Sequence, residues 1–523
     1  MSLFAVMYIQ MHVLRCYNIP EAGDKENKGA NMAVRLSKSR YCRGIQCPKM
    51  LWMDDHMPEL GESTYSESII ANGNMVGNLA RGFFGDYELV GYAGDIQSTA
   101  EKTRELLKKG AGNIAEAAFC YDGLYCAVDI LHSNGSGYEL VEVKSSTHVA
   151  PVYVDDVAFQ YYLLTNCGID VQKVCIMHLN SSYVRDGELE LDKLFTIEDY
   201  TDEAIQRYSE VEENIRYLRE YVDTDEEPAR DIGLYCDNPY ACMYSGYCGR
   251  HLPEESVFSI AGLRSARKYE YYNQGIISFE DIINEQPPMS SKQKEQVEVS
   301  YYDKPDVIDR ESIKAFLNTL SYPLYHLDFE TFQQAVPEYD GLRPYSQIPF
   351  QYSLHIEQAD GSVEHREFLA KEGTDPRRAI AESLCKDFPT DVCVLAYNMA
   401  FERRVLRELS DTFPDLADHL LAIRENIHDL MIPFRSHAYY SKAMQGSYSI
   451  KFVLPALCPG DPELDYHNLD GVHNGTEASA TFADLPNHTP EEITEMRQNL
   501  LNYCCLDTLA MVKVLEKLRK IMI

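Results

Sequence analysis

Twice in this chain an apolar run of strand character carries two ionisable side chains two residues apart. "YELVEVK" (138–144) holds Glu142 and Lys144, and "YPLYHLDFETF" (322–332) holds Asp328 and Glu330. Side chains alternate along a strand, so each pair shares one face while neighbours such as Val141 and Val143 turn the other way. Charge gathered on one face of an apolar strand fits either a solvated edge, where ion pairs are common and weak, or a functional site. The flanking segments decide between the two.

Upstream of the first pair, "GLYCAVDILHSNGSGYELVEVK" contains two apolar runs around a Ser/Asn/Gly-rich turn, which predicts an antiparallel hairpin near Asn134-Gly135 with Asp129 toward the end of its first strand. Downstream, Val154, Val157, Ala158, Tyr161 and Leu164 recur at helical spacing up to Gly168, and "VQKVCIMHLN" reads as another strand. The predicted order is strand, strand, helix, strand. Two carboxylates on adjacent strands with a lysine beside them suit phosphodiester hydrolysis: hard oxygen ligands hold Mg²⁺ or Mn²⁺, the metal acidifies a water, and the ammonium orients it. "VDIL", "VEVKSS" and the Gln160 helix "DVAFQYY" resemble the PD-(D/E)xK nuclease superfamily, in its RecB-like branch that includes the CRISPR-associated exonucleases. The resemblance implies that Asp129 and Glu142 are metal ligands, Lys144 the water-activating lysine, and Gln160 a contact to the ligands or the substrate. Those exonucleases supply a further acid or histidine from an earlier helix, where "NGNMVGNLARGFFG" offers Asn74 and Met75.

The 15 cysteines are odd in number, and neither a signal peptide nor a membrane-length apolar run is present, so the expected setting is a reducing cytoplasm, with no membrane partner. Cys236, Cys242 and Cys248 are spaced with five residues between each in "YCDNPYACMYSGYCGRH", and "QCPKMLW" offers Cys47 as a fourth thiolate, with Cys42 the weaker choice. In iron-sulfur members of the RecB-like branch, an early cysteine and a late trio hold a 4Fe-4S cluster. The resemblance therefore implies a cluster on Cys47, Cys236, Cys242 and Cys248; tetrathiolate Zn²⁺ is the alternative.

The second pair has neighbours too. In "DVCVLAYNMAFERRVLREL" a strand through Leu395 leads into a helix on which Asn398 and Glu402, four apart, are expected to share a face; on the helix of "RQNLLNYCCLDTLAMVKVLEKL", Tyr503 and Asp507 do the same. Four carboxylates from three segments repel one another unless cations lie between them, and two divalent ions about 4 Å apart resolve this. "DFET", "YNxxFE" and "YxxxD" in that order resemble the three motifs of the DEDD exonucleases, an RNase H-like family that cuts nucleic acid from the 3′ end. The resemblance makes Asp328, Glu330, Glu402 and Asp507 metal ligands and Tyr503 the group that orients the attacking water. Glu402 stands where the family has Asp, and Asp429 in "NIHDLM" is an auxiliary acid candidate.

The expected fold is α/β with two domains: a restriction-endonuclease-like mixed sheet with flanking helices over 32–252 and an RNase H-like domain over 319–523, joined by a helical linker over 253–318. Residues 1–31 are expected to be a disordered arm or extended translation start. Within the linker, residues 283–312 lack a sustained period and read as a connector, and "KYEYYNQGIISFEDIINEQ" reads as a plain interdomain spacer, with a small helical hairpin about Gly275 as the alternative. "LSKSRYCRGIQCPKMLW", "PYSQIPFQYSLHI" and "GSYSIKFVLPAL" add a resemblance to a bacterial family that places a RecB-like nuclease before a domain of unknown function.

A net charge of −34 opposes tight nonspecific binding to a polyanion. Metal-loaded acids reverse that locally, and five basic residues without an acid between Arg35 and Lys49, with "FERRVLREL" and "DPRR", suggest local patches. The expected function is a metal-dependent nuclease, probing single strands or ends of DNA or RNA without sequence specificity, with two active sites, in repair, recombination or defence. No P-loop is present, so unwinding would fall to a helicase or other partner protein. The alternatives are a single-site 3′–5′ exonuclease whose N-terminal domain only binds nucleic acid, and a catalytically silent scaffold.

Overall fold

Turn chemistry sets the centre of the first half. Asn134 Oδ1 accepts hydrogen bonds from the N–H groups of Ser136 and Gly137, each at 3.0 Å, and Gly135 takes the left-handed φ of 87°. The hairpin so closed belongs to a mixed α/β chain that the computed structural model describes over residues 35–62 and 67–523, leaving the arm expected over 1–31 outside the described residues. The chain divides into two compact units, one within Met1–Ser181 and Glu190–His251, the other formed by Ser182–Leu189 and Leu252–Ile523. Among the described residues no helix is long and apolar enough to cross a membrane.

The first unit is built on a mixed seven-stranded sheet of β1 (Leu36–Ser37), β2 (Glu88–Leu89), β3 (Asn113–Tyr121), β4 (Leu124–Ser133), β5 (Tyr138–Lys144), β6 (Val171–Leu179) and β7 (Phe195–Asp199). Its order is β2-β3-β4-β5-β6-β7, with β1 parallel to the start of β4; β4 and β5 are antiparallel and β5 and β6 parallel. The unit's helices include α1 (Lys38–Gln46), α2 (Pro48–His56), α3 (Glu67–Ala80), α4 (Pro151–Asn166) and α5 (Tyr208–Val222). Pro151 opens α4, where its missing N–H costs nothing, and Gly168 at φ 80° ends it. Between them Val154, Val157, Ala158, Phe159, Leu163 and Leu164 bury one face of α4 in the core that the sheet and α5 share.

In the second unit a five-stranded sheet runs in the order β11-β10-β9-β12-β13; a separate antiparallel pair joins β8 (Val307–Ile308) to β14 (Tyr439–Tyr440). The strands are β9 (Leu324–Gln333), β10 (Gln347–Glu357), β11 (Val363–Leu369), β12 (Cys393–Ala396) and β13 (Ile427–Asp429). β9, β10 and β11 are successive antiparallel neighbours, and β12 and β13 add in parallel.

Residues 283–312, read from the sequence as a connector, are largely structured. The unit's helices α6 (Ser265–Asn273), α7 (Phe279–Glu285) and α8 (Ser291–Tyr301) share a small core of Val257, Ile260, Tyr271, Ile276, Phe279, Ile282 and Val297, and in place of the plain spacer expected there Gly275, at φ 80°, turns a helical hairpin. The period was invisible because α8 buries only Gln296, Val297 and Val299, and Gln296 is held by hydrogen bonds to Ala261 and Ser259, both at 3.0 Å. Three further helices complete the elements used below: α9 (Ala400–Thr412), α10 (Ile450–Leu457) and the 32-residue α11 (Pro490–Ile521). Thr489 and Glu492 form a capping box before Pro490, which starts α11 cleanly.

Candidate functional site

Two acidic centres emerge, one in each unit. In the first, the β4–β5 register places Ile130 opposite Val141 and so brings Asp129 beside Glu142. Asp129 Oδ2 accepts the Val143 N–H at 2.7 Å. Lys144 Nζ lies 2.7 Å from Glu142 Oε1 and 2.6 Å from Asp156 Oδ2. Gln160 Nε2 donates to Glu142 Oε2 at 2.7 Å and to Asp156 Oδ1 at 2.9 Å, and with Gln160 fully buried its place is to hold the acids.

Sequence reasoning missed two members of this centre. Ser37 caps α1, accepting the Arg40 N–H, and β1 lays that cap along β4, so Lys38 in the first helical turn reaches Glu142 at 2.8 and 3.0 Å and Asp156 Oδ1 at 3.6 Å. Asp156 was legible, since it precedes Gln160 by one helical turn on the same face of α4. Asn74 and Met75, considered as a further ligand source, are exposed on α3.

Burial alone would raise the Glu142 carboxyl, but the ammonium groups of Lys144 and Lys38 hold it well below the usual carboxylate range. Asp129 goes the other way: burial, and then the Glu142 charge, push it up to about 7. Against the desolvation that would lower them, Asp156 and Glu142 hold both lysines above their ordinary range. Both oxygens of Glu142 are bonded to Lys38, one also to Lys144 and the other to Gln160, so a divalent ion here would compete with Lys38 for that carboxylate.

The thiols gather separately within this unit. Cys47, Cys236 and Cys242 are buried and Cys248 half-buried, and burial raises Cys236, Cys248 and Cys242, the last to about 11, with the neighbouring thiols adding to the effect. Gln46 Nε2, next to Cys47, donates to the carbonyls of Tyr235 at 2.8 Å and Tyr240 at 2.7 Å, tying the early cysteine to the late loop. Cys42 instead feels the charges of Asp156, Lys144 and Lys38. The charges of these thiols reach one another, although among the described residues no three of the four sulfurs lie within 4.8 Å of one another.

In the second unit, β9 presents Asp328 and Glu330 on the face covered by α11. Tyr503, Cys504 and Asp507 of α11 meet them: one ligand atom each from Asp328, Glu330 and Cys504 lies within 4.8 Å of the others, and the charges of Asp507 and Glu402 reach Asp328. Burial and then these like charges push Asp328 well above the carboxylate range and Glu330 up to about 8. Glu402 also rises to about 8, from burial and the Asp429 charge, and its buried Oε2 has no hydrogen-bond partner. Asp507 rises to about 6 on burial, despite the hydroxyls of Tyr466 and Tyr503 that bond it; Tyr466 Oη donates to Asp507 Oδ1 at 2.6 Å.

Asn398 does not share a helix face with Glu402 as expected. Helix α9 starts at Ala400, and Asn398 sits before it at φ 71°, where its N–H bonds Asp429 Oδ1 at 3.0 Å. Asp429 also accepts the Met431 N–H at 3.0 Å and faces Arg435 at 3.4 Å, so it braces the loops around Glu402.

A cleft of about 630 Å³ opens onto Asp328, Glu330, Tyr503 and Asp507. Its wall includes Ala261 and Gly262 from the segment expected to be a linker, and Gly446–Lys451. Lys451, absent from the sequence-based candidates, is the cation whose charge bears on Glu330 and Asp507, and its Nζ lies 5.5 Å from the Tyr466 ring centre and 5.9 Å from that of Tyr503. Uncompensated carboxylates plus an orphaned acid oxygen are the donor set of hard divalent cations.

The expected basic patches are neutralised from within. Arg35 pairs with Asp223, Lys38 with Glu142, Arg40 with Asp55, Arg43 with Asp54 and Lys49 with Glu227; Arg377 pairs with Asp375, Arg378 with Asp415, and Arg403 with Glu425.

Over residues 325–449, which contain Asp328, Glu330, Glu402 and Asp429, the chain matches the model of a family described as "Domain of unknown function (DUF2779)". Comparison with curated proteins gives no match.

Proposed function

We propose that this protein is a divalent-metal-dependent nuclease whose working centre is the cleft of the second unit, acting as an exonuclease on single strands or ends of DNA or RNA. One observation carries the reading: Asp328, Glu330, Glu402 and Asp507, drawn from β9, α9 and α11, lie close enough for the charges of Glu402 and Asp507 to reach Asp328 and Glu330, all four carboxyls are raised by burial, and Lys451 is the neighbouring cation of Glu330 and Asp507. Residues Asp328, Glu330, Glu402 and Asp507 would hold Mg²⁺ or Mn²⁺, which supplies an acidified water and charge neutralisation at the phosphate when bound. Tyr503 stays a protonated hydroxyl, because burial and the charges of Asp507, Glu330 and Asp328 hold it far above its ordinary value. With that proton given to Asp507 in a hydrogen bond, its oxygen can accept a hydrogen bond from, and so orient, the attacking water. Tyr466 fixes the Asp507 carboxylate, and Lys451 offers a phosphate contact at the cleft wall. The order of the motifs supports a DEDD-type, RNase H-like assignment for this unit, which sets the expected polarity at 3′ to 5′.

For the first unit we propose a RecB-like PD-(D/E)xK fold with Cys47, Cys236, Cys242 and Cys248 holding a 4Fe-4S cluster. The two hydrogen bonds that Lys38 donates to Glu142 favour one catalytic centre over two, with the first unit contributing nucleic-acid binding.

The test is digestion of end-labelled single strands, DNA and RNA in parallel, with Mg²⁺ or Mn²⁺. Wild type and Lys144→Ala should both shorten the strand from its 3′ end, and Asp328→Ala should lose on the order of 10³-fold in rate. A wild type that cuts neither polymer in either metal, with its fold intact, overturns the proposal.

A further inference from the structure

On the other flank of α11 a second set of metal-binding side chains comes together. His355 of β10 and His365 of β11 are paired across the antiparallel ladder, and Ser353 is likewise paired with Glu367. Alternation puts all four on the sheet face that α11 covers, where Cys505 and Thr508 meet them. One ligand atom each from His355, His365 and Cys505 lies within 4.8 Å of the others.

Hydroxyls anchor one nitrogen of each imidazole. Thr508 Oγ1 lies 3.2 Å from the Cys505 carbonyl, 2.6 Å from Ser353 Oγ and 2.7 Å from His355 Nδ1, and Ser353 Oγ lies 2.9 Å from His365 Nε2. When Thr508 gives its one proton to the carbonyl, His355 Nδ1 and His365 Nε2 are the donors in this chain, and each neutral ring keeps a lone pair on its other nitrogen. For His365 that other nitrogen is Nδ1, 4.0 Å from the Cys505 sulfur. A ring with one nitrogen anchored to a hydroxyl or carbonyl and the other presenting a lone pair is the arrangement of a metal-ligating histidine. Glu367 Oε2, 3.9 Å from His365 Nε2, supplies an oxygen on the same face. The cluster grades from buried His355 through half-buried Cys505 to exposed His365, which gives an ion a way in.

We propose that His355, His365 and Cys505 bind a zinc-class transition metal, with Glu367 or water as the fourth ligand, and that this ion fastens α11 to β10 and β11. Two nitrogens, one thiolate and one oxygen are a donor set for tetrahedral Zn²⁺ or Co²⁺ and a poor one for Mg²⁺. The site is separate from the acid cleft, although both hang on α11: Cys504 faces Asp328 while Cys505 faces His365. A clamp here would fix the helix that carries Tyr503 and Asp507.

The experiment is titration of the metal-free full chain with Co²⁺, read by the visible band of tetrahedral cobalt and the near-ultraviolet thiolate band, with zinc content measured on the purified protein. Wild type should take up one equivalent more than His365→Ala and than Cys505→Ser, each variant losing the same equivalent. The Cys47, Cys236, Cys242 and Cys248 set is intact in all three proteins and cancels in the difference. Circular dichroism of the metal-free proteins checks the fold; should His365→Ala misfold, the near-isosteric Cys505→Ser decides alone. Equal uptake by wild type and Cys505→Ser, or a thiolate band unchanged by that substitution, overturns the proposal. Because the readout is stoichiometry and not strand cleavage, it stands or falls apart from the nuclease reading.

Discussion

The two acidic centres solve one electrostatic problem in opposite ways. In the first unit Asp129, Glu142 and Asp156 are answered by two lysines of the chain itself, with Lys38 bonded to both oxygens of Glu142. The second unit gathers Asp328, Glu330, Glu402 and Asp507, and Lys451 is the cation that bears on two of them, Glu330 and Asp507. Like charges in a buried place either recruit a cation or take up protons. A centre that contains its own cations is complete as folded, whereas one that keeps its carboxyls protonated for want of cations is poised to exchange those protons for metal. Acid count alone therefore does not mark a catalytic centre; the ratio of fixed cations to acids does.

The sharpest way to break this contrast is to remove the cation that closes the first centre. Lys38→Met leaves Glu142 with Lys144 and Gln160, and removing one partner of a buried ion pair costs about 3 kcal/mol. In an Asp328→Ala background, which disables the second centre, Lys38→Met should lower the melting temperature and should gain a stabilisation by Mn²⁺ that the Lys38 protein lacks. Calorimetry with and without Mn²⁺ reads both. If Mn²⁺ stabilises the two proteins equally, Lys38 does not stand in for a metal.

A broader effect separates the centres by pH. In metal-free protein, Glu330 and Glu402 have folded values of about 8 and Asp507 of about 6, each above its ordinary carboxyl value. The folded state then binds more protons than the unfolded chain, so stability falls as pH rises from about 4.5 to about 8. In the first centre Asp129, pushed up to about 7, shares that sign, whereas Glu142 has the opposite one: held low, it contributes stability above its unfolded value that is lost as acid protonates it. With chelator present, unfolding between pH 5.5 and pH 8 should show a loss on the order of 6 kcal/mol. Mg²⁺ should restore it, and more at pH 8 than at 5.5. A chelated protein that grows more stable over that interval would place the four acids apart in solution.

How far the sequence carried these centres depends on how local the signals were. The β4–β5 hairpin, α4, β9 and the Tyr503–Asp507 face were legible because period and turn residues report on neighbours in the chain. Asn398 was misplaced by reading helical spacing two residues too early, where a left-handed residue in fact starts the turn into α9. Lys38 was visible only as part of a basic run, since nothing near it reveals that β1 carries it 104 residues along the chain to Glu142. Lys451 sits on the two-turn α10, whose buried Val453, Leu454 and Leu457 say nothing of the acids it approaches, and Ala261 and Gly262 come from a segment whose buried face is too short to show a period. Charge runs mislead for the same reason: each basic residue between Arg35 and Lys49 meets an acid supplied from elsewhere in the unit.

The smallest expected effect bears on how the second centre is held. Tyr466 donates to Asp507 at 2.6 Å, and Tyr503 bonds the same carboxyl, so the acid is oriented from two sides. Tyr466→Phe removes one of these hydroxyls and keeps the ring that faces Lys451 and Tyr503. Loss of a group that orients a metal ligand, with a second such group in place, should cost about 10-fold. That cost should fall on the Mn²⁺ concentration needed for half-maximal cleavage and leave the rate at saturating Mn²⁺ near that of wild type. Tyr503→Phe should do the reverse, because its hydroxyl is assigned to the water as well as to Asp507. If both substitutions shift the metal dependence alone, Tyr503 only orients Asp507. If both lower the saturated rate alone, Tyr466 bears on the attacking water through Asp507, and the carboxylate is held firmly enough by its surroundings without it.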